Sequence, residues 1–267
     1  MSDTLSPDAI ALIKSFEGCS LRPEWPGFSS GVTLGYGVDI GADPAGLEAW
    51  KPYLSSDAFA RLAKTKGVTG EAAKPLAASL SDITLTETDA LAVFTTFTLP
   101  RFIAATVKAF PGADALPADS FGALVSLVFN RGGSTTGTKR GEMANIKAAL
   151  AAGPDHWTNV ILEIAKMVVY WNDGIPTASN LPGRRLAEAS LYARGMREVG
   201  KLPGALIKGD KGDKTSRIAG MQKALKVGAD GSFGSGTMLA VWKYQVASKE
   251  LPDTGVADAG TLEALGV

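Results

Sequence analysis

Near the start of the chain, apolar side chains fall at Ala9, Ile10, Leu12, Ile13 and Phe16, a helical spacing that predicts an amphipathic helix. Ser6-Pro7 offers a hydroxyl N-cap with proline at the first helical position, and Gly18 offers a stop, so Glu17 falls in the last turn. The period then changes to two. Val32, Leu34, Tyr36 and Val38 alternate with Thr33, Gly35 and Gly37, the pattern of a short β-hairpin. Beyond the hairpin, helical spacing dominates. Thr86-Glu87-Thr88-Asp89 reads as a capping box opening a long apolar helix, Phe121 to Phe129 is apolar nearly all round and so central, and two more helices cover about 157 to 169 and 183 to 194. The expected fold class is mainly α with a small β-lobe inserted after the first helix, an α+β arrangement.

Gly and Pro cluster in Gly200-Lys201-Leu202-Pro203-Gly204, and Lys208-Gly209-Asp210-Lys211-Gly212-Asp213 comes shortly after, which reads as a linker. It divides the chain into a domain at 1–200 and a linker plus small module at 201–267. In the module, Ile218, Met221 and Leu225, then Met238, Leu239, Val241, Trp242 and Tyr244, form two apolar helix faces. Asp230-Gly231 marks a turn between them, and a third short helix comes after Leu251-Pro252-Asp253-Thr254-Gly255-Val256.

Composition narrows what such a chain does. Among 267 residues there are 27 Lys+Arg and 27 Asp+Glu, a net charge of zero, with one histidine, His156, and one cysteine, Cys19. Residues 1–200 carry 18 basic and 20 acidic side chains, and 201–267 carry 9 and 7. Neither part is a polyelectrolyte, which argues against nucleic-acid binding through bulk positive charge. A lone Cys forms no internal disulfide, and a lone His builds no two-histidine zinc site, so the expectation is no metal and no cofactor. The first residues lack a basic n-region, and no apolar run is read as approaching the roughly 18 residues of a membrane span. The expectation is a monomer made in the cytoplasm without a Sec signal.

Candidate chemistry begins at Glu17. A carboxylate in the last turn of a helix faces the negative end of the macrodipole, and Phe16 would desolvate it; both favour the protonated acid that glycosidic cleavage requires. On the helix alone, an ordinary solvated Glu is the plainer reading.

The downstream sequence shifts that balance. After Glu17-Gly18, and sixteen residues from the Glu, comes Thr33-Leu34-Gly35-Tyr36-Gly37-Val38-Asp39-Ile40-Gly41, with Leu127-Val128-Phe129-Asn130-Arg131-Gly132 and Leu181-Pro182-Gly183-Arg184-Arg185-Leu186-Ala187-Glu188 later in the chain. In order and spacing these resemble the phage-type lysozymes. That family has a Glu-Gly closing its first helix, a Thr-(Ile/Leu)-Gly-(Tyr/Ile)-Gly hairpin, and a Gly-Leu-Xaa-Asn-Arg-Arg-Xaa-Glu segment. The resemblance spans most of 1–200. Its commonest pattern has an Asp between the Glu and the Thr, where this chain has only Glu24. The pesticin-like branch places its Asp six residues after the Thr, as Asp39 stands to Thr33, so Asp39 is assigned as second carboxylate with Glu24 as its rival.

The resemblance implies a muramidase that hydrolyses the β-1,4 bond between N-acetylmuramic acid and N-acetylglucosamine in bacterial peptidoglycan. Glu17 would be the general acid, with Asp39 and the Thr33 hydroxyl positioning water. Substrate contacts are expected from Tyr36, Asn130 and Arg185, the last also able to ion-pair with Glu17 across the domain; each has a structural alternative, Tyr36 as half-buried core, Asn130 as part of a helix C-cap, and Arg185 as a surface residue paired with Glu188 or solvent. Cys19 is read as a small buried hydrophobe and His156 as structural.

In the module, Met221-Gln222, Asp230-Gly231-Ser232-Phe233-Gly234-Ser235-Gly236-Thr237, Ala240-Val241-Trp242-Lys243-Tyr244-Gln245 and Asp253-Thr254-Gly255-Val256 onward to Thr261-Leu262 resemble the three-helix peptidoglycan-binding domain. The resemblance implies wall binding near Trp242, Tyr244 and the adjoining loops. The whole then reads as an endolysin, held in the host cytoplasm until released to the wall. A noncatalytic wall-binding protein on a lysozyme scaffold and a lytic transglycosylase are the alternatives.

Overall fold

The computed structural model describes residues 5–171 and 174–267. The opening residues 1–4, on which part of the reading of the leader rests, lie outside the described residues. The fold is mainly helical with one small antiparallel sheet, the mainly α, α+β class expected. Its residues pack as two compact units, Ile13–Ile103 and a second made of residues 5–12 with Ala104–Val267.

Helix α1 is Pro7–Glu17, with the Ser6 hydroxyl accepting from the Ala9 amide at 3.1 Å and Gly18 leaving in the left-handed region. In the first unit the chain continues into strands β1 (Ser20–Glu24), β2 (Thr33–Gly35) and β3 (Val38–Asp39), ordered β1-β2-β3. β1 is a third strand beyond the hairpin, and its Leu21 carbonyl accepts from Leu85 N at 2.8 Å. The alternation over 32–38 suggests one wet face, yet residues 31 to 36 are all buried. The glycine face is covered: a Cβ on Gly35 would meet the buried Trp50 ring at 2.7 Å. Val32, Leu34, Ile40, Leu47, Trp50, Leu62 and Phe94 form the core of this unit.

Short helices α2 (Gly46–Trp50), α3 (Ser56–Ala63) and α4 (Ala73–Ser79) come next. The capping box at Thr86 forms as expected, the Thr86 hydroxyl accepting from Asp89 N and the Asp89 carboxylate accepting from Thr86 N. It opens α5 (Glu87–Val93), which widens into a π turn at Phe94–Thr98 and continues as α6 (Leu99–Ala109). Pro100 offers no N–H to the turn before it, and the hydroxyls of Thr95 and Thr96 bond back to carbonyls of residues 91 and 92. This continuous helix corrects the expectation that no apolar run reaches membrane length. Glu87–Ala109 is 23 residues and holds an 18-residue window with a mean hydropathy of 1.5, long and apolar enough by composition to cross a bilayer. Of that window 33% is buried in the fold, including Ala90, Val93, Phe94, Thr98 and Leu99, and the core helix of a folded protein can meet the same criterion.

The second unit is built on α7 (Ala118–Arg131), buried from Asp119 to Val128 as its apolar run predicts, and on α10 (Leu181–Glu198), which packs along it. Gly122 admits Ala9 and Gly195 admits Ser120 at distances that a Cβ would violate. Helices α8 (Gly141–Ala151) and α9 (Asn159–Lys166) complete this layer. α9 runs on as a 3-10 turn to Tyr170, and α10 extends four residues beyond the expected 183–194 end.

The module comprises α11 (Arg217–Ala224), α12 (Ser235–Ser248) and α13 (Ala259–Ala264), the three helices expected. The Gly/Pro-rich stretch before it is tied on both sides: Leu206 and Ala257 exchange backbone bonds of 2.9 and 3.0 Å, Lys208 N donates to Ser190 Oγ, and Arg197 forks onto Asp210.

Candidate functional site

Glu17, Thr33 and Asp39 all belong to the first unit. Glu17 ends α1 and is half-buried. The strand register adds what spacing does not give. Thr33 pairs with Glu24 across β1 and with Asp39 across β3, so the two rival carboxylates flank Thr33 in one row of the sheet. Directly opposed residues of antiparallel strands project to the same face.

The three members of that row differ. Glu24 is exposed, Thr33 is buried, and Asp39 is half-buried. Asp39 is fixed at both oxygens, Oδ2 accepting from Gly31 N and Oδ1 from Ala42 N, each at 2.9 Å. The Thr33 hydroxyl donates to the Gly31 carbonyl at 3.4 Å. Gly31 therefore touches both partners. A Cβ there would lie 2.5 Å from Asp39 Oδ1 and 2.4 Å from Gly41 Cα, so only glycine lets the two segments approach.

Beside Asp39 opens a cleft of about 330 Å³. One wall is Gly37, Val38 and Asp43, and the other is presented by the π turn and the start of α6, with Phe97, Thr98, Arg101 and Phe102. Arg101 ion-pairs with Asp43 and lies 4.7 Å from the Phe97 ring centre. The Thr98 hydroxyl is buried with no hydrogen-bond partner among the described residues. An aromatic face with polar groups around it suits a sugar ring. Sequence reasoning missed this wall because a π turn has no period of its own to read.

Tyr36 is 4% exposed, its ring 5.1 Å from that of Phe94 and 5.3 Å from the Lys14 ammonium, which is the core alternative. Burial pushes its hydroxyl above the ordinary tyrosine range. Cys19 corrects an expectation: it is exposed. Gly18 turns the chain out of α1, carrying the thiol to the surface two residues past Glu17.

In the second unit, Arg185 is fully buried and its Nη2 donates to Glu188 Oε1 at 2.9 Å. Arg184 donates to the same oxygen at 3.1 Å, and Ser126 donates to it at 2.6 Å. Two arginines and a glutamate out of water tie α10 to α7, so the surface option for Arg185 is set aside. Asn130 sits half-buried in the last turn of α7, before Gly132 at φ 70°. His156 is exposed in a 3-10 turn.

In the module, Trp242 and Tyr244 are half-exposed on α12, and the Tyr244 hydroxyl donates to Ala264 O at 2.9 Å. Its interior holds two equivalent knots. The Gln222 amide nitrogen donates to Asp230 Oδ1, Ser232 O and Thr237 Oγ1, while its oxygen accepts from Gly231 N. The Gln245 nitrogen donates to Val256 O and Thr261 Oγ1, while its oxygen accepts from Thr254 N and Gly255 N. Asp230 turns its own loop by accepting from Ser232 N, and this with the Gln222 amide holds its carboxyl below the usual range. Asp258 caps α13 through Thr261 N at 2.9 Å. The aspartates thus serve turns and caps.

No curated protein matches the chain. Residues 218–265 match the family described as "Putative peptidoglycan binding domain". They cover all three helices, both glutamine knots, Trp242 and Tyr244. The C-terminal module is thus a peptidoglycan-binding domain, and the protein associates with the bacterial cell wall through it.

Proposed function

We propose that the protein is a muramidase, an endolysin that hydrolyses the β-1,4 bond between N-acetylmuramic acid and N-acetylglucosamine. In this reading residues 1–200 are the catalyst and residues 201–267 the linker and anchor. The observation that carries the proposal is the row Glu24–Thr33–Asp39, which comes directly after the helix end bearing Glu17. The tethering of Asp39 by two backbone amides supports it as the second carboxylate over the exposed Glu24, because a preorganised group needs no reorientation during reaction.

Glu17 donates its proton to the glycosidic oxygen as the bond to the anomeric carbon breaks. Asp39 takes a proton from a water that Thr33 helps to orient, and that water attacks the opposite face of an oxocarbenium-like centre. The configuration inverts. Anchoring raises the local concentration of the catalyst on an insoluble polymer.

Reducing-end and mass analysis of digested peptidoglycan tests this. Products that gain one water and end in N-acetylmuramic acid are expected. An anhydro sugar would mean a lytic transglycosylase, and intact glycan strands a noncatalytic wall-binding protein. NMR of the first anomer checks the stereochemistry: an α product is expected, and a β product would mean a retaining double displacement.

A further inference from the structure

A second concentration of charged and aromatic groups lies in the other unit, at the C-terminal end of α7. The Arg131 guanidinium sits 5.0 Å from the Tyr170 ring centre and 5.2 Å from that of Trp171. The Lys139 ammonium is 5.7 Å from the Tyr170 ring. Arg140 is close enough that its charge, after burial, helps push the Arg131 guanidinium below its usual range. Of the two acids whose charges reach Arg131, Glu142 is engaged by the Tyr170 hydroxyl, which donates to it, 2.7 and 2.6 Å from its two oxygens, and Glu188 by Arg184, Arg185 and Ser126.

A cation at a helix C-terminus, stacked on aromatic rings, explains Arg131 by itself. It does not explain the rest. Arg131 Nε and Arg140 Nη1 are buried with no hydrogen-bond partner among the described residues, two strong donors removed from water with nothing to accept from them. Lys139 holds φ at 59°, a left-handed conformation uncommon for a lysine. Counting Arg185, 5.5 Å from the Trp171 ring centre, and Glu188, whose charge also acts on Arg131, four cations face two committed carboxylates, which leaves a local excess of positive charge.

We propose that this cluster binds a carboxylate of the peptidoglycan stem peptide, with Arg131, Lys139 and Arg140 supplying charge and donors and the Tyr170 and Trp171 rings forming a wall. Guanidinium forks match planar carboxylates. Wall association is carried by the C-terminal domain, and in peptidoglycan the lactyl carboxyl is consumed by the amide to the peptide, so free carboxylates lie on the stem. The inference needs only that association and not the glycan-cleaving reading.

The test is calorimetric titration of the full chain with a monomeric disaccharide-tetrapeptide, N-acetylglucosaminyl-N-acetylmuramyl-peptide, which lacks the bond a muramidase cleaves. The arms are the same compound with its carboxyls amidated, the peptide-free disaccharide with its lactyl carboxyl capped as the amide, and inorganic phosphate at matched ionic strength. Amidation is expected to weaken binding at least tenfold, as is the double variant K139N/R140Q. Asn tolerates the left-handed backbone at 139, and an unchanged melting curve would verify the fold. Peptide-free disaccharide should bind wild type and variant alike. Equal affinity for free and amidated muropeptide overturns the inference, as does full affinity in the double variant or phosphate competing as tightly as the muropeptide. Carboxylate-dependent binding by a chain that releases no reducing ends leaves the inference standing and removes the catalytic reading; the converse does the opposite.

Discussion

At the scale of single residues, Thr33 has a carboxylate on each side, and substitution separates their roles. Asp39→Asn should lower turnover about 10²–10⁴-fold while Glu24→Gln stays within a few-fold of wild type, measured as reducing ends released from purified peptidoglycan. The reverse ranking would transfer the role to Glu24. Glu17→Gln should lose turnover to a similar degree with its thermal melting unchanged, since an amide fits the same half-buried place at the helix end. Cys19 supplies an independent check. The single thiol is exposed two residues from Glu17, so alkylation by a maleimide should block turnover, and Cys19→Ser should be resistant. Desolvation raises this thiol above the ordinary cysteine range, so labelling should be faster at pH 9 than at pH 7, where less thiolate is present. Sequence named Glu17, Thr33 and Asp39 but not their arrangement. The row depends on β1, whose Ser20-Leu21-Arg22-Pro23-Glu24 has no clear alternation and contains a proline, so nothing in it reads as a strand.

At the scale of elements, the sheet is held in shape by its contact with the 67–70 turn. Gly70 N donates to Ser30 O, Gly67 N donates to Gly41 O, and Gly31 bridges Thr69. Gly31→Ala should therefore act on stability and site together. Its methyl group would push on Gly41 and on the Asp39 carboxylate, costing about 1–3 kcal/mol in thermal unfolding and lowering turnover well beyond what the lost stability explains. Ala at Gly37, whose Cβ would meet nothing within 4 Å, should show only the smaller strain of its left-handed φ of 80°. Helices with a cap and a steady period were legible: α1, the start of α5, α7 and the three of the module. The π turn was not, because five residues of changed pitch leave the hydrophobic spacing nearly intact. The buried Arg184–Arg185–Glu188 group was not legible either, since charged residues three and four apart read by default as a solvated face.

At the scale of the whole molecule, the segment before the module is part of the packing. Arg197 and Asp210 share a forked pair, and hydrogen bonding to Asp210 holds the Arg197 guanidinium above its usual value. A chain cut at residue 200 would strip Arg197 of that partner and confuse loss of anchoring with loss of stability. A stop after Asp213 retains the pair. That protein should cleave soluble glycan fragments at the full-length rate yet clear intact walls several-fold more slowly, and equal clearance would remove the anchoring role. Gln245→Ala in the full chain should have a related effect by another route. It strands Thr254 N, Gly255 N and Val256 O, costing the module on the order of 3 kcal/mol and weakening retention on insoluble peptidoglycan. The spacing of the two knots is set by the chain itself, Gln222 to Thr237 and Gln245 to Thr261, and each glutamine reaches across from one helix to the loop and cap of the next. Domains this small commonly rely on a disulfide or a bound metal, which lock distant parts of the chain by a covalent or coordinate bond. Here two primary amides tie loop to cap across helices, and because residues 201–267 contain no cysteine, no thiol–disulfide change can loosen them: the module keeps its shape in reducing and oxidising surroundings alike.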